Sequence, residues 1–120
     1  MLLASGAWAT KCDADTGAGE VGNGQSGKQM VILFVDMDRP SGQPPVIINY
    51  MHDGSGGGDQ STGSWQKIVN VDYGASVRAT NPGAGTIRCY YKLSLMGKEL
   101  DVHTAGQFET CQAVWHASQS

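Results

Sequence analysis

Residues 86–115, TIRCYYKLSLMGKELDVHTAGQFETCQAVW, carry the pattern that decides the fold. From Ile87 to Leu95 every second residue is apolar or a cysteine (Ile87, Cys89, Tyr91, Leu93, Leu95), with Arg88, Lys92 and Ser94 falling between them. That is the period of a strand with one buried face. Met96, Gly97 and Lys98 make a turn, and Leu100, Val102 and Thr104 then alternate with Glu99, Asp101 and His103 in a second strand. After Ala105 and Gly106, a third strand from Phe108 to Trp115 places Cys111, Ala113 and Trp115 on one parity. Cys89 and Cys111 can therefore both point inward, and the parity predicts a disulfide between them. It would close a loop of about 22 residues, worth roughly 3 kcal/mol by the chain-entropy argument. Two buried free thiols in a reducing compartment are the alternative reading of the same parity.

Upstream, the same logic yields more strands. Ala75, Val77 and Ala79 alternate with Ser76, Arg78 and Thr80, and residues 81–85, NPGAG, form the turn into the opening stretch. Trp65, Lys67, Val69, Val71 and Tyr73 share a parity with Ile68 opposite, so residues 65–73 read as a strand with Trp65 at the start of its buried face. Residues 52–64, HDGSGGGDQSTGS, read as a mobile loop; they lack the Lys-Ser/Thr ending of a phosphate loop. Met30 to Met37, MVILFVDM, is an almost unbroken apolar run rich in β-branched residues, hence a buried strand. Residues 38–45 make a proline-rich connection to Val46–Met51, and the two strands are expected to form a hairpin. About seven strands without a helix argue for an all-β fold, an antiparallel immunoglobulin-like β-sandwich spanning residues 30–116.

A chain of 120 residues is one domain by length. Its 17 glycines exceed the average share of about 7% and cluster in connections. With 8 basic against 11 acidic residues and a formal charge of −3, nucleic acid is an unfavourable partner. Residues 13–29 hold almost no apolar side chains and read as a flexible linker. Residues 1–12, MLLASGAWATKC, read either as an ordinary chain end or as the remnant of a truncated membrane or signal segment, with Ala7-Trp8-Ala9 in the small-x-small form of a cleavage site. Cys12 is left over after pairing, and Lys11 before it makes a poor lipobox. Residues 117–120 are a tail.

Candidate chemistry is sparse. His52 and Asp53, with Asp101 and His103 elsewhere, can be assembled on paper into a metal site or an oriented base. Asp101 and His103 nevertheless lie on the exposed parity, and no catalytic, cofactor or metal role is expected. Asp36 and Asp38 read as solvated carboxylates at a strand end. Trp65 and Trp115 read as core or edge-covering residues. Tyr90 falls on the polar parity beside Arg88 and Lys92 and is the leading candidate for an exposed contact residue. Tyr90, Arg88, Trp65 and His52 together make up the expected contact surface.

Taken together, a strand at Val31–Val35, the Ile47–Asp53 segment with its tyrosine, a polar loop ending in Trp65, Val77-Arg78-Ala79, Ile87-Arg88-Cys89, Gly97 and Cys111 form a recognisable order. Across about residues 30–115 this order resembles the extracytoplasmic domain of the MmpS proteins, small mycobacterial and actinobacterial envelope proteins that accompany MmpL transporters. The resemblance implies a sandwich carrying the Cys89–Cys111 bond, placed outside the cytoplasmic membrane beside a lipid or siderophore exporter. Members of that family are anchored by an N-terminal transmembrane helix, which this chain shows at most in part. The expected function is thus a non-enzymatic accessory module whose partner is a membrane transporter or another envelope protein. A small secreted or phage-encoded domain that binds a ligand or glycan through the 52–64 loop and Tyr90 is the alternative.

Overall fold

The computed structural model describes residues 27–117. The expectations for the targeting remnant, Trp8, Cys12, most of the linker and most of the tail lie outside the described residues. Eight strands succeed one another: β1 (Gln29–Asp38), β2 (Val46–His52), β3 (Ser55–Ser61), β4 (Trp65–Val71), β5 (Gly74–Thr80), β6 (Thr86–Lys92), β7 (Leu100–Ala105) and β8 (Thr110–His116). They form two four-stranded sheets, ordered β4-β1-β6-β7 and β3-β2-β5-β8, in which every neighbouring pair is antiparallel. The expected antiparallel β-sandwich is present, with one strand more than the pattern suggests.

The core lies between the sheets. Val31, Leu33, Val35, Val69, Val71, Ile87 and Cys89 from the first sheet meet Val46, Ile48, Ala75, Val77, Ala79, Cys111 and Ala113 from the second, all buried. Alternation along β5 and β8 places these residues inward as the sequence implies. β1 lacks alternation because it is central, paired with β4 on one side and β6 on the other. Ile32 on its outer face is flanked by Ile68 and Lys92 and is also fully buried. The Cys89–Cys111 disulfide joins β6 to β8 with a Cα–Cα distance of 5.8 Å. These strands belong to opposite sheets, so the bond is a staple across the core rather than a link between neighbours in one sheet.

Several expectations are corrected. β1 and β2 do not form a hairpin; they lie in different sheets. Pro40, Pro44 and Pro45 in the connection have fixed φ and no N–H, which suits an irregular crossing between layers better than a tight turn. The mobile loop at 52–64 is instead strand β3, paired along its whole length with β2 from His52↔Ser55 to Val46↔Ser61. Asp53 and Gly54 form its two-residue turn with φ of 50° and 84°. Positive φ at both turn positions is the requirement of the type I′ hairpin, for which Asp-Gly is a preferred sequence. β6 stops at Lys92, not Leu95, and Leu95 is exposed beside a turn closed by Gly97 N–H on Ser94 O at 3.0 Å. β8 begins at Thr110, because Phe108 sits exposed in a tight turn with φ 65°.

β7 departs furthest from its pattern. A bulge separates the pair Cys89↔His103 from Tyr91↔Leu100, and Asp101 within it has φ 51°. The extra residue reverses the parity of the rest of the strand, so Ala105 is buried while Val102 and Thr104 are exposed.

Side chains tie both ends of the sandwich. The Asp53 carboxylate accepts the backbone N–H groups of Asp72 (2.8 Å), Tyr73 (2.9 Å) and Gly74 (3.1 Å), fixing the corner where the chain passes from β4 to β5 and changes sheet. At the opposite end Asn81, the one buried polar side chain among the described residues, donates from Nδ2 to Gly85 O (3.1 Å) and Gly106 O (3.3 Å). Its Oδ1 accepts Gly83 N–H at 3.1 Å. Gly85 itself has φ 89°, and a Cβ there would stand 2.5 Å from Asp38 O.

Candidate functional site

The four residues expected to form one contact surface are split: Arg88 and Tyr90 lie on the outer face of the first sheet, whereas Trp65 of β4 and His52 of β2 meet between the two sheets. On the outer face of β4-β1-β6-β7, Phe34 and Tyr90 are direct cross-strand partners with parallel rings, centroids 4.8 Å apart. The Arg88 guanidinium lies 5.1 Å from the Tyr90 ring centre, and the Lys92 ammonium 5.3 Å from that of Phe34. Tyr90 Oη donates to Asp36 Oδ2 at 2.7 Å. Arg88 reaches the same carboxylate at 3.4 Å and also pairs with Glu99. Such a pair of stacked rings with a cation on each is a favourable arrangement on a pleated surface.

Tyr90 is therefore not an exposed contact residue: it is 4% accessible. Its outer-face parity is legible in the sequence, but Phe34, Arg88 and Asp36 cover it. Burial, and after it the hydrogen bond to the Asp36 carboxylate, pushes its hydroxyl far above the usual phenol range. Asp36 is correspondingly engaged rather than free in solvent, while Asp38 is exposed.

Trp65 and His52 point the other way, to the open side of the sandwich between β3 and β4. Tyr50 is the centre of this group, with Trp65 at 5.8 Å and His52 at 6.3 Å between ring centres, and Lys67 Nζ 5.1 Å from its own. Trp65 Nε1 donates to Asp59 Oδ2 at 2.9 Å, which ties β4 to the edge strand β3. That bond, with the Gln60 amide and the Lys67 charge, holds the Asp59 carboxyl below its usual range. A Cβ at Gly57 would fall 2.4 Å from Tyr50 Oη, so a side chain there would displace the ring from its present place over β3. Trp65 is half-buried and covers the core edge, as expected, and so does Trp115.

The paper assemblies of histidine and carboxylate resolve differently. Asp53 is consumed by the three amides of the β4–β5 corner and does not orient His52. Asp101 and His103 do meet, with Oδ1 and Nε2 2.8 Å apart. The other oxygen of Asp101 accepts Val114 N–H at 2.8 Å, so the pair clasps β7 to the edge of β8 across the two sheets. Among the described residues no group of three or more His, Cys, Asp or Glu is placed to hold a metal ion.

The Val114 amide is the largest of the causes that hold the Asp101 carboxyl below its ordinary value; partial burial opposes it and His103 adds to it. A carboxyl depressed by folding contributes stability above its unfolded value near 4, and that contribution is lost as pH falls through the lower folded value. The clasp is therefore expected to open only in acid. In an NMR titration the Val114 amide shift should show an acid transition with its midpoint below the ordinary carboxylate value of about 4. A midpoint above that value, or no movement, would contradict the clasp.

The remaining surface of interest is on β3-β2-β5-β8. Its outer face carries Ile47 and Met51, 45% and 48% exposed. Met51, Tyr73, Gly74, Ser76 and Val114 line a shallow hollow of about 200 Å³ at one end of this face. Among the described residues no helix is long and apolar enough to cross a membrane. No family model, curated protein or solved structure matches the chain.

Proposed function

We propose that this chain is a non-enzymatic, extracytoplasmic accessory module of the cell envelope that binds a partner membrane protein. The observation that carries the reading is the Cys89–Cys111 staple across the buried core. Cytosolic thiols are kept reduced, so a structural disulfide between two sheets belongs to a compartment where it persists. The partner class comes from the resemblance to MmpS proteins, which points to an MmpL-type lipid or siderophore exporter. Exposed apolar side chains on an otherwise polar sheet face are in keeping with a binding role.

The test has two arms in cells that naturally make the protein. Trapping of free thiols before and after reduction should show Cys89 and Cys111 oxidised. Cross-linking in intact cells, read by mass spectrometry, should join the domain to a multi-pass transporter. Reduced cysteines, with cross-links confined to cytoplasmic proteins, would sink the proposal.

A further inference from the structure

The glycines build a largely exposed edge strand, β3. The two-residue turn makes His52↔Ser55 the closing pair of the β2–β3 hairpin. Hydrogen-bonded pairs then alternate along the ladder, falling at Gly57↔Tyr50, Asp59↔Ile48 and Ser61↔Val46. Gly56, Gly58 and Gln60 consequently turn their N–H and C=O groups toward the open edge. Consistent with this, Gln60 N–H is taken by the neighbouring Asp59 Oδ1 at 2.8 Å rather than by β2. Among the described residues no strand lies beyond β3.

Two of the other three edges, β7 and β8, are guarded. β7 carries the bulge at Asp101, and β8 has its Val114 N–H occupied by the Asp101 carboxylate. Bulges and charges are the usual devices against strand addition. The glycine run of β3 has no proline, lysine or bulge, and its one charge, Asp59, occupies the Gln60 N–H at the far end and leaves the Gly56 and Gly58 edge groups uncovered. On the outer face Gly56 stands directly beside Met51 and Gly58 beside Asn49. The row next to Met51 is thus bare of side chains, and a large side chain on an added strand, two strand spacings or about 10 Å from β2, can lean across it. Covering a glycine by a neighbouring aromatic ring is a known means of stabilising a sheet.

We propose that β3 is a strand-addition site, taking an extended segment of a partner protein with large apolar side chains at alternate positions, seated over Gly56 and Gly58 against Met51. A second copy of this chain is a poorer occupant. Pairing β3 with its own copy sets three glycines and four short polar residues against the same set and buries little beyond backbone, short of the roughly 1,200 Å² of a stable interface. The proposal rests on the binding-module reading and names the surface that reading would use. Main-chain hydrogen bonds supply the attachment, and the alternate side chains supply the selectivity.

The test uses the full chain and a synthetic peptide of about nine residues that alternates phenylalanine or valine with threonine or lysine, long enough to span the strand. A scrambled peptide of equal composition is the control. In the free chain the Gly56 and Gly58 amides should exchange with solvent freely at every protein concentration, and the alternating peptide should slow them. Met51→Asp, on the surface and away from the core, should weaken the peptide by about tenfold. Gly58→Pro, which removes an N–H that β2 does not use, should abolish binding. Amides already protected in the free chain would overturn the proposal, showing occupancy by the N-terminal segment, or by a second copy if protection grows with concentration. Equal binding of the scrambled peptide, or indifference to Met51→Asp, would do the same. A silent edge alongside persistent cross-links to a transporter would reject this site and leave the module reading standing.

Discussion

Replacing Cys89 and Cys111 together by alanine is expected to lower stability by about 3 kcal/mol. The bond closes a loop with a sequence separation of 22 residues and joins the sheets at residues that are almost wholly buried. Most of its effect acts on the unfolded chain, which gains the freedom the bond had removed. For a domain of this size the melting temperature should fall by roughly 12 to 24 °C, at about 4–8 °C for each kcal/mol. Thermal unfolding of the oxidised protein, the reduced protein and the double variant checks this. Reduction should reproduce most of the loss caused by substitution. A variant that melts with the oxidised protein would mean that the staple contributes nothing.

Asn81→Ala should be the most damaging single substitution of a polar residue, costing about 3 kcal/mol. The side chain is fully buried and serves three backbone groups, those of Gly83, Gly85 and Gly106. Each such group left without a partner costs roughly 1–3 kcal/mol, and entry of water reduces the sum. Two of the three belong to the turn between β5 and β6, and the third lies just past β7. The main chain of Asn81 binds this region as well, through its N–H to Glu109 O (2.9 Å) and its carbonyl from Phe108 N–H (2.7 Å). Urea unfolding should show the lower midpoint with an unchanged slope. Asn81→Asp keeps the acceptor for Gly83 but loses both donors and buries a charge, so it should fare no better. A loss below about 1 kcal/mol for either variant would show that water replaces the amide without difficulty.

Legibility in the sequence tracks the physics of side chains. Ala75, Val77, Ala79, Cys111, Ala113 and Ile87 are readable as inward because a strand repeats every two residues and a buried face must be apolar. The disulfide is readable for the same reason, as is Trp65 at the core edge. β3 escapes such a reading because its glycines carry no pattern at all, while its pairing is made by backbone groups that every residue possesses. The Asp53-Gly54 pair is the one local signal that could reveal it. Tyr90 can be placed on the correct face from its parity, yet not in its buried state, because burial on an outer face depends on what the neighbouring strands place there. Phe34 is 56 positions upstream in the chain and Asp36 is 54 positions upstream.

Patterning along the chain is enough to make this protein all-β, to pick out the side chains of its core, and to put Cys89 and Cys111 within that core, since period-two alternation is written residue by residue. Folding in three dimensions had to settle the rest: that β1 and β2 part into different sheets, that the glycine run is an edge strand, that Asp101 reverses the parity of β7, and that Asn81 holds one end together. Those outcomes depend on backbone hydrogen bonds between distant segments. Local composition does not encode such bonds, because the same N–H and C=O groups are offered by every non-proline residue.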